Sequence, residues 1–271
     1  MRRSIRVAAS LFAGLSLAAC SLLVDTAGLV GGANASDGSV DAALPDAPAT
    51  ADAGADAARD APAEAAKCVD GPTRFCDDFD QPAPGSKWTD TNKQRGEVTF
   101  DDVGLSLPRA MHARITGGNG DAKAELVKEY ADPSAHCELD MKLDRVAPTG
   151  ETDVLAVLTT FAGGGFHIVY FASFGGVWNL AEYQPAGDGG AELDRAKPLG
   201  AALPDATWFH VAFDVKPTTA SVTANGTTVV LGALSPPASA TGRSLRVGIV
   251  YASGGVPSGG VLIDNVDCTS P

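Results

Sequence analysis

The chain has 271 residues, a formal net charge of −13, and 45% hydrophobic against 20% charged residues. An acidic chain without a basic run is a poor partner for nucleic acid or for anionic lipid headgroups, so both are set aside as ligands. Five cysteines are present, but no CxxC or HExxH spacing, and the four histidines (His112, His136, His167, His210) are scattered, which excludes an ordinary zinc site.

The first nineteen residues read as a secretory signal. Arg2, Arg3 and Arg6 give a positive start, and Val7 to Ala19 are apolar or small. The run is too short for the roughly 20 apolar residues that span a bilayer. It closes on Leu17-Ala18-Ala19-Cys20, which resembles the lipobox of bacterial lipoproteins. That resemblance implies cleavage before Cys20, a lipid joined to its sulfur, and a mature chain fastened to a membrane by acyl chains. Each buried methylene adds about 0.8 kcal/mol, so several chains hold far better than one. Ser21 in place of Asp implies, within that family, no retention in an inner membrane, and so an outer-membrane or cell-surface location.

Residues 20–66 predict a tether. From Asp41 to Ala66 half of the residues are Ala, and Asp, Pro, Gly and Thr make up most of the rest. Pro45, Pro48, Gly54 and Pro62 interrupt any helix, and no apolar stripe exists to be buried. Eight acidic residues stand against Arg59 alone, so the segment repels itself. As a flexible coil it would hold the next domain roughly 40 Å from its lipid.

Lys67 to Pro271 is long enough for one domain with a sizeable core, and it carries a net charge of −9. Its pattern is strand after strand. His136 to Leu143 alternates strictly, with Cys137, Leu139, Met141 and Leu143 on one face; Trp208 to Val215 does the same. Asn225-Gly226 stands between two β-rich runs and marks a tight hairpin. Lys123 to Ala131 is the only stretch that reads as either helix or strand. About a dozen short strands separated by Gly and Pro predict an all-β, antiparallel two-sheet sandwich.

With Cys20 assigned to lipid, Cys68, Cys76, Cys137 and Cys268 remain, an even number in a chain that leaves the reducing cytosol. Cys68–Cys76, closing CVDGPTRFC, with Cys137–Cys268, joining a middle strand to the last, is the favoured pairing. Cys76–Cys268 competes with it.

The order FCDDFD (from Phe75), Trp88, WFHVAFDV (from Trp208), the Asn-Gly hairpin and VLIDNVDC (from Val261) resembles the concanavalin A-like, LamG-like jelly rolls of bacterial surface lipoproteins. The resemblance covers nearly all of Lys67 to Pro271. It implies a curved sandwich whose sheet or rim loops bind glycans, in some members with a structural calcium.

Laminarinase-like hydrolases of this fold carry Glu-x-Asp-x-Glu on one strand, where period two turns all three acids to one face. The nearest match found is Glu138-Leu139-Asp140-Met141-Lys142, whose third acid is a lysine; a lysine cannot protonate a leaving group as a raised carboxylic acid does. The expectation is therefore a non-catalytic module that binds carbohydrate or another extracellular ligand. A diverged glycoside hydrolase and a structural or adhesive envelope protein are the alternatives. Tyr170, Trp178, Asn179 and Tyr183 are the candidate ligand-binding residues, because aromatic rings stack on sugar faces and amides fix hydroxyls. Trp178 is read equally well as core. Asp78 and Asp264, at the two ends of the domain, are candidate ligands of a calcium ion, whose hard oxygen-based coordination tolerates irregular geometry; solvated strand-edge acids are the plainer reading.

Overall fold

The computed structural model divides the chain into Met1–Ala57 and Ala58–Pro271, and it describes residues 68–118, 120–145, 150–186, 192–235, 240–253 and 258–269. Cys20, the leader and the tether lie outside the described residues.

Among the described residues the chain forms fifteen strands and no helix: β1 (Arg74–Asp77), β2 (Asp90–Gln94), β3 (Gly96–Asp101), β4 (Ala110–Ile115), β5 (Ala122–Tyr130), β6 (Ala135–Asp144), β7 (Glu151–Phe161), β8 (Phe166–Phe174), β9 (Val177–Gln184), β10 (Leu193–Pro198), β11 (Trp208–Val215), β12 (Thr219–Ala224), β13 (Thr227–Gly232), β14 (Ala240–Ser253) and β15 (Gly259–Thr269). They build two antiparallel sheets. Sheet A runs β13-β12-β11-β6-β15-β4-β3, with β1 added on β15; sheet B runs β10-β9-β8-β7-β14-β5-β2. The ambiguous Lys123–Ala131 stretch is strand β5, paired on both sides by β14 and β2.

Alternation sets which way each strand faces. In β6 the buried positions are Ala135, Cys137, Leu139, Met141 and Leu143; in β11 they are Phe209, Val211, Phe213 and Val215. Facing them from sheet B are Leu126, Leu155, Val157, Phe171, Leu180, Val247 and Ile249, and the two sets form one continuous core. At about 25 cal/mol per Å² of apolar surface, this interdigitation between sheets is the main force holding the layers together. The Asn225-Gly226 hairpin forms as expected: Ala224 pairs with Thr227, and both turn residues have positive φ, 47° and 77°, the backbone twist of a type I′ turn.

The disulfides are Cys68–Cys76 and Cys137–Cys268. Cys137 and Cys268 stand directly opposite each other on β6 and β15. By loop length the second closes the larger ring, 131 residues against 8, and in the chain-entropy account it contributes about 5 kcal/mol against about 2.5 kcal/mol. Two such bonds indicate an oxidising compartment and therefore an exported protein.

Candidate functional site

A trough crosses the outer face of sheet B. It has two lobes, of about 750 Å³ and about 520 Å³, which meet at Leu158 and Arg246. Every strand of the sheet contributes a lining residue: Asp194 from β10, Tyr183 from β9, Tyr170 from β8, Asp153 from β7, Arg246 from β14, Lys123 from β5 and Asn92 from β2. At the usual 4.8 Å between strands the trough is about 29 Å long, room for an extended chain of several sugars.

Small residues give the trough its depth. Ala156, Ala172 and Ala181 are fully buried beneath Tyr170 and Val250, with Ile168, Phe174 and Tyr183 packed around them. Period two along β8 and β9 sends Ile168, Tyr170, Asn179 and Tyr183 to this side, and His167, Val169, Phe171, Trp178 and Leu180 to the other.

The chemistry is concentrated on β7, β14 and β5. Glu151 and Asp153, two apart on β7, both line the smaller lobe, while Thr152 between them is buried. Asp153 is 5% exposed, and its Oδ1 is buried without a hydrogen-bond partner. Burial pushes its carboxyl well above the usual range, and the neighbouring negative charge of Glu151 adds to this. Glu151 is also raised, by burial and then by Asp194. Behind them Glu125, fully buried, accepts from Arg246 Nη1 at 2.7 Å and from Asn92 Nδ2 at 3.1 Å. Burial raises Glu125 against the opposing pull of Arg246; its Oε2 and the Arg246 Nε have no partner. The Tyr170 hydroxyl is pushed far up by burial and by Asp153, Glu151 and Asp194. Tyr251 donates its hydroxyl to Asp121 at 3.1 Å on the rim.

The expected ligand residues divide. Tyr170 and Tyr183 line the trough. Asn179 lies on the same face but is buried, its amide donating to the Val177 carbonyl at 2.6 Å. Trp178 is corrected: it points into the core against Phe171, ring centroids 4.9 Å apart, because it alternates out of phase with Asn179. Asp264 lies under the 102–109 loop, fully buried, where it accepts from the Ser106 amide at 2.8 Å, the Ser106 hydroxyl and the Asn265 amide. Asp78 accepts from the Asp80 amide at 3.3 Å. Among the described residues no three His, Cys, Asp or Glu side chains converge to hold a metal ion. Glu138 and Asp140 lie on sheet A, away from the trough, in contact with His210 and Asn265.

Sequence reasoning missed Glu151, Asp153, Glu125, Lys123 and Arg246. The signal is present in the sequence: Glu151-Thr152-Asp153 shares the same-face spacing of Glu138-Leu139-Asp140.

No family model and no curated protein sequence matches the chain. Solved structures do. The domain is similar to an endo-β-1,4-glucuronan lyase from the fungus Trichoderma reesei (13% identity, TM-score 0.55), covering 73% of this chain and 95% of that one. It is similar to the cellulose induced protein Cip1 (17% identity, TM-score 0.53), covering 73% of this chain and 97% of that one. A third is a GlcNAcα1-4Gal-releasing endo-β-galactosidase from Clostridium perfringens (12% identity, TM-score 0.52), covering 75% of this chain and 64% of that one. The fold is an antiparallel two-sheet jelly-roll sandwich. At these identities the likeness is one of fold. The expectation of a non-catalytic module is nonetheless overturned: two of these sandwiches belong to polysaccharide-cleaving enzymes, and the trough of this one holds unpaired buried carboxylate oxygens.

Proposed function

We propose that this exported jelly roll is a glycoside hydrolase that cleaves within a polysaccharide chain, with Glu151 and Asp153 as its two carboxyl groups. The observation that carries the reading is Asp153, 5% exposed with an unpartnered oxygen beside a second carboxylate in an open trough. Leaving a buried polar oxygen unpaired costs roughly 1–3 kcal/mol, and such a cost persists where function requires the group.

The division of labour follows from environment. Asp153, the more deeply buried and the more strongly raised, holds a proton and gives it to the glycosidic oxygen as the bond from that oxygen to the anomeric carbon breaks. Glu151, nearer solvent, is the ionised partner that attacks the anomeric carbon or takes a proton from the attacking water. Tyr170 and Tyr183 supply faces on which sugar rings stack. Because the trough reaches every strand of sheet B, a chain can lie across it with both ends projecting, so internal bonds are the ones presented. The expectations for the leader belong to the same reading: a lipid on Cys20 and a spacer up to Ala66 would hold the enzyme at an envelope surface, its substrate outside. Loss of fatty-acid labelling in Cys20→Ser tests that part.

The test of the activity is release of reducing ends from a panel of β-linked glucans, galactans and xylans. Wild-type protein is expected to release oligosaccharides from one class, and Asp153→Asn to lose this while remaining folded. No release from any glycan, or full activity in Asp153→Asn, would overturn the proposal.

A further inference from the structure

The lyase resembled in fold acts, by its name, on a polymer of glucuronic acid, which carries a carboxylate on every sugar. A site for such a chain has to offer cations. The trough contains Lys123, Arg243 and Arg246, but Arg246, at the waist where the lobes meet, is paired with the buried Glu125, and Arg243 donates to the Ala131 carbonyl at 3.2 Å. Against them the lining has Asp90 and Glu129 in one lobe and Glu151, Asp153 and Asp194 in the other. Two buried groups at the trough are unpartnered, the Asp153 Oδ1 and the Arg246 Nε, so the ligand must both donate and accept hydrogen bonds. Sugar hydroxyls do both; carboxylates and sulfates only accept.

Resting on the function proposed above, we infer that the trough selects an uncharged polysaccharide, and that Glu125 sets this selection by neutralising Arg246. Glu125 is a specificity-determining residue that never touches sugar. It sits fully buried, fixed by Asn92 and Arg246, and it offsets the charge of the guanidinium in the middle of the trough, which would otherwise attract a uronate. The ionised carboxylates of Asp90, Glu129, Glu151 and Asp194 then repel an anionic chain, while they accept hydroxyl hydrogens from a neutral one.

The experiment is calorimetric binding at low salt, with the full chain carrying Asp153→Asn so that no substrate is consumed. The probes are neutral galactan and glucan oligosaccharides and, at equal length, glucuronan and alginate oligosaccharides. A neutral probe is expected to bind at least about tenfold more tightly than either polyuronate, a difference that shrinks as salt screens the repulsion. Adding Glu125→Gln is expected to narrow that ratio by about tenfold, mainly by tightening the polyuronate arm. Arg246→Gln guards against a Glu125 variant that does not fold: it removes the cation and leaves Glu125 in place, so polyuronate binding is expected to be no tighter than before. Equal or tighter binding of polyuronate by the Asp153→Asn chain, an unchanged ratio in folded Glu125→Gln, or tighter polyuronate binding in Arg246→Gln overturns the inference while leaving a glycan-cleaving function standing. Absence of binding to every probe overturns the function and the inference with it.

Discussion

The outer faces of the two sheets carry similar polar side chains and treat them differently. On sheet A the groups are paired: His136 Nδ1 with Asp214 at 2.8 Å, His210 Nδ1 with Asp140 at 3.2 Å, Asn265 Nδ2 with Asp140 at 2.9 Å, and Arg74 with Asp267 at 2.8 Å. On sheet B the pairing is incomplete. Among the described residues five buried side-chain atoms have no hydrogen-bond partner, and four of them, on Glu125, Tyr130, Asp153 and Arg246, belong to side chains that line the trough or pair with its lining. A polar face satisfied by its own neighbours is a solvated surface. One that is buried and left unsatisfied costs stability unless a ligand completes it, and this marks sheet B as the working side.

The sharpest way to break that contrast is to neutralise one carboxylate on each face. Asp153→Asn removes the proton donor and is expected to lower the rate of glycan cleavage by about 10³-fold, near 4 kcal/mol of barrier. Glu138→Gln, on sheet A, is expected to change the rate by less than about twofold, since its contacts are exposed and worth little. Reducing-end assays on both variants decide it; equal losses would remove the distinction between the faces.

A smaller effect separates the two sides of sheet B itself. Trp178→Ala deletes a core ring packed on Phe171 and is expected to destabilise the fold by about 3–5 kcal/mol, read as a lower denaturant midpoint. Tyr183→Ala, one strand position in the opposite phase from Glu182, is expected to leave the midpoint nearly unchanged and to weaken glycan binding by about tenfold. The reverse pattern would put the sugar face on the wrong side of the sheet.

That pair also shows what was legible in the sequence. The sandwich, the strict alternation of β6 and β11, the Asn225 hairpin and the presence of two disulfides follow from period two, turn chemistry and cysteine parity, all of which are local or countable; which cysteines pair is decided only by β6 lying beside β15 and by the 68–76 loop. Which face of β9 meets the core is not local. Val177 to Ala181 has apolar residues on both sides, Val177 and Ala181 on one and Trp178 and Leu180 on the other, and the phase is fixed by β8, where Phe171 and Tyr170 pair with Leu180 and Ala181. Of the site, Tyr170 and Tyr183 were readable as aromatics near a long strand pair. Glu125 and Arg246 were not, because β5 and β14 are more than a hundred residues apart and only the sheet order β14-β5 brings them together. Glu151 and Asp153 were readable in principle, and attention to a better-alternating strand hid them.

Asp264 sharpens the comparison from the paired side, with the smallest effect. It is fully buried like Asp153, yet three donors from Ser106 and Asn265 serve it. Burial raises it to about 6, and these hydrogen bonds oppose the rise; Asp153, with an oxygen unserved, is raised well above the usual range. A folded-state value above the unfolded one, about 3.9, means that the native state binds this proton more tightly. The contribution is then fully present below about pH 4 and is lost as pH climbs through 6, by roughly 2–3 kcal/mol in all. Asp264→Asn cannot titrate, so the stability of wild type minus variant is expected to fall by that amount between pH 4 and pH 7, measured by denaturant melts at each pH. The same subtraction for Asp153→Asn has the same sign and extends to higher pH, because the unserved carboxyl keeps its proton longer. A difference for Asp264 that rises with pH would mean that the three hydrogen bonds outweigh burial, leaving the carboxylate ionised and the unpaired oxygen of Asp153 as the sole cause of the asymmetry between the sheets.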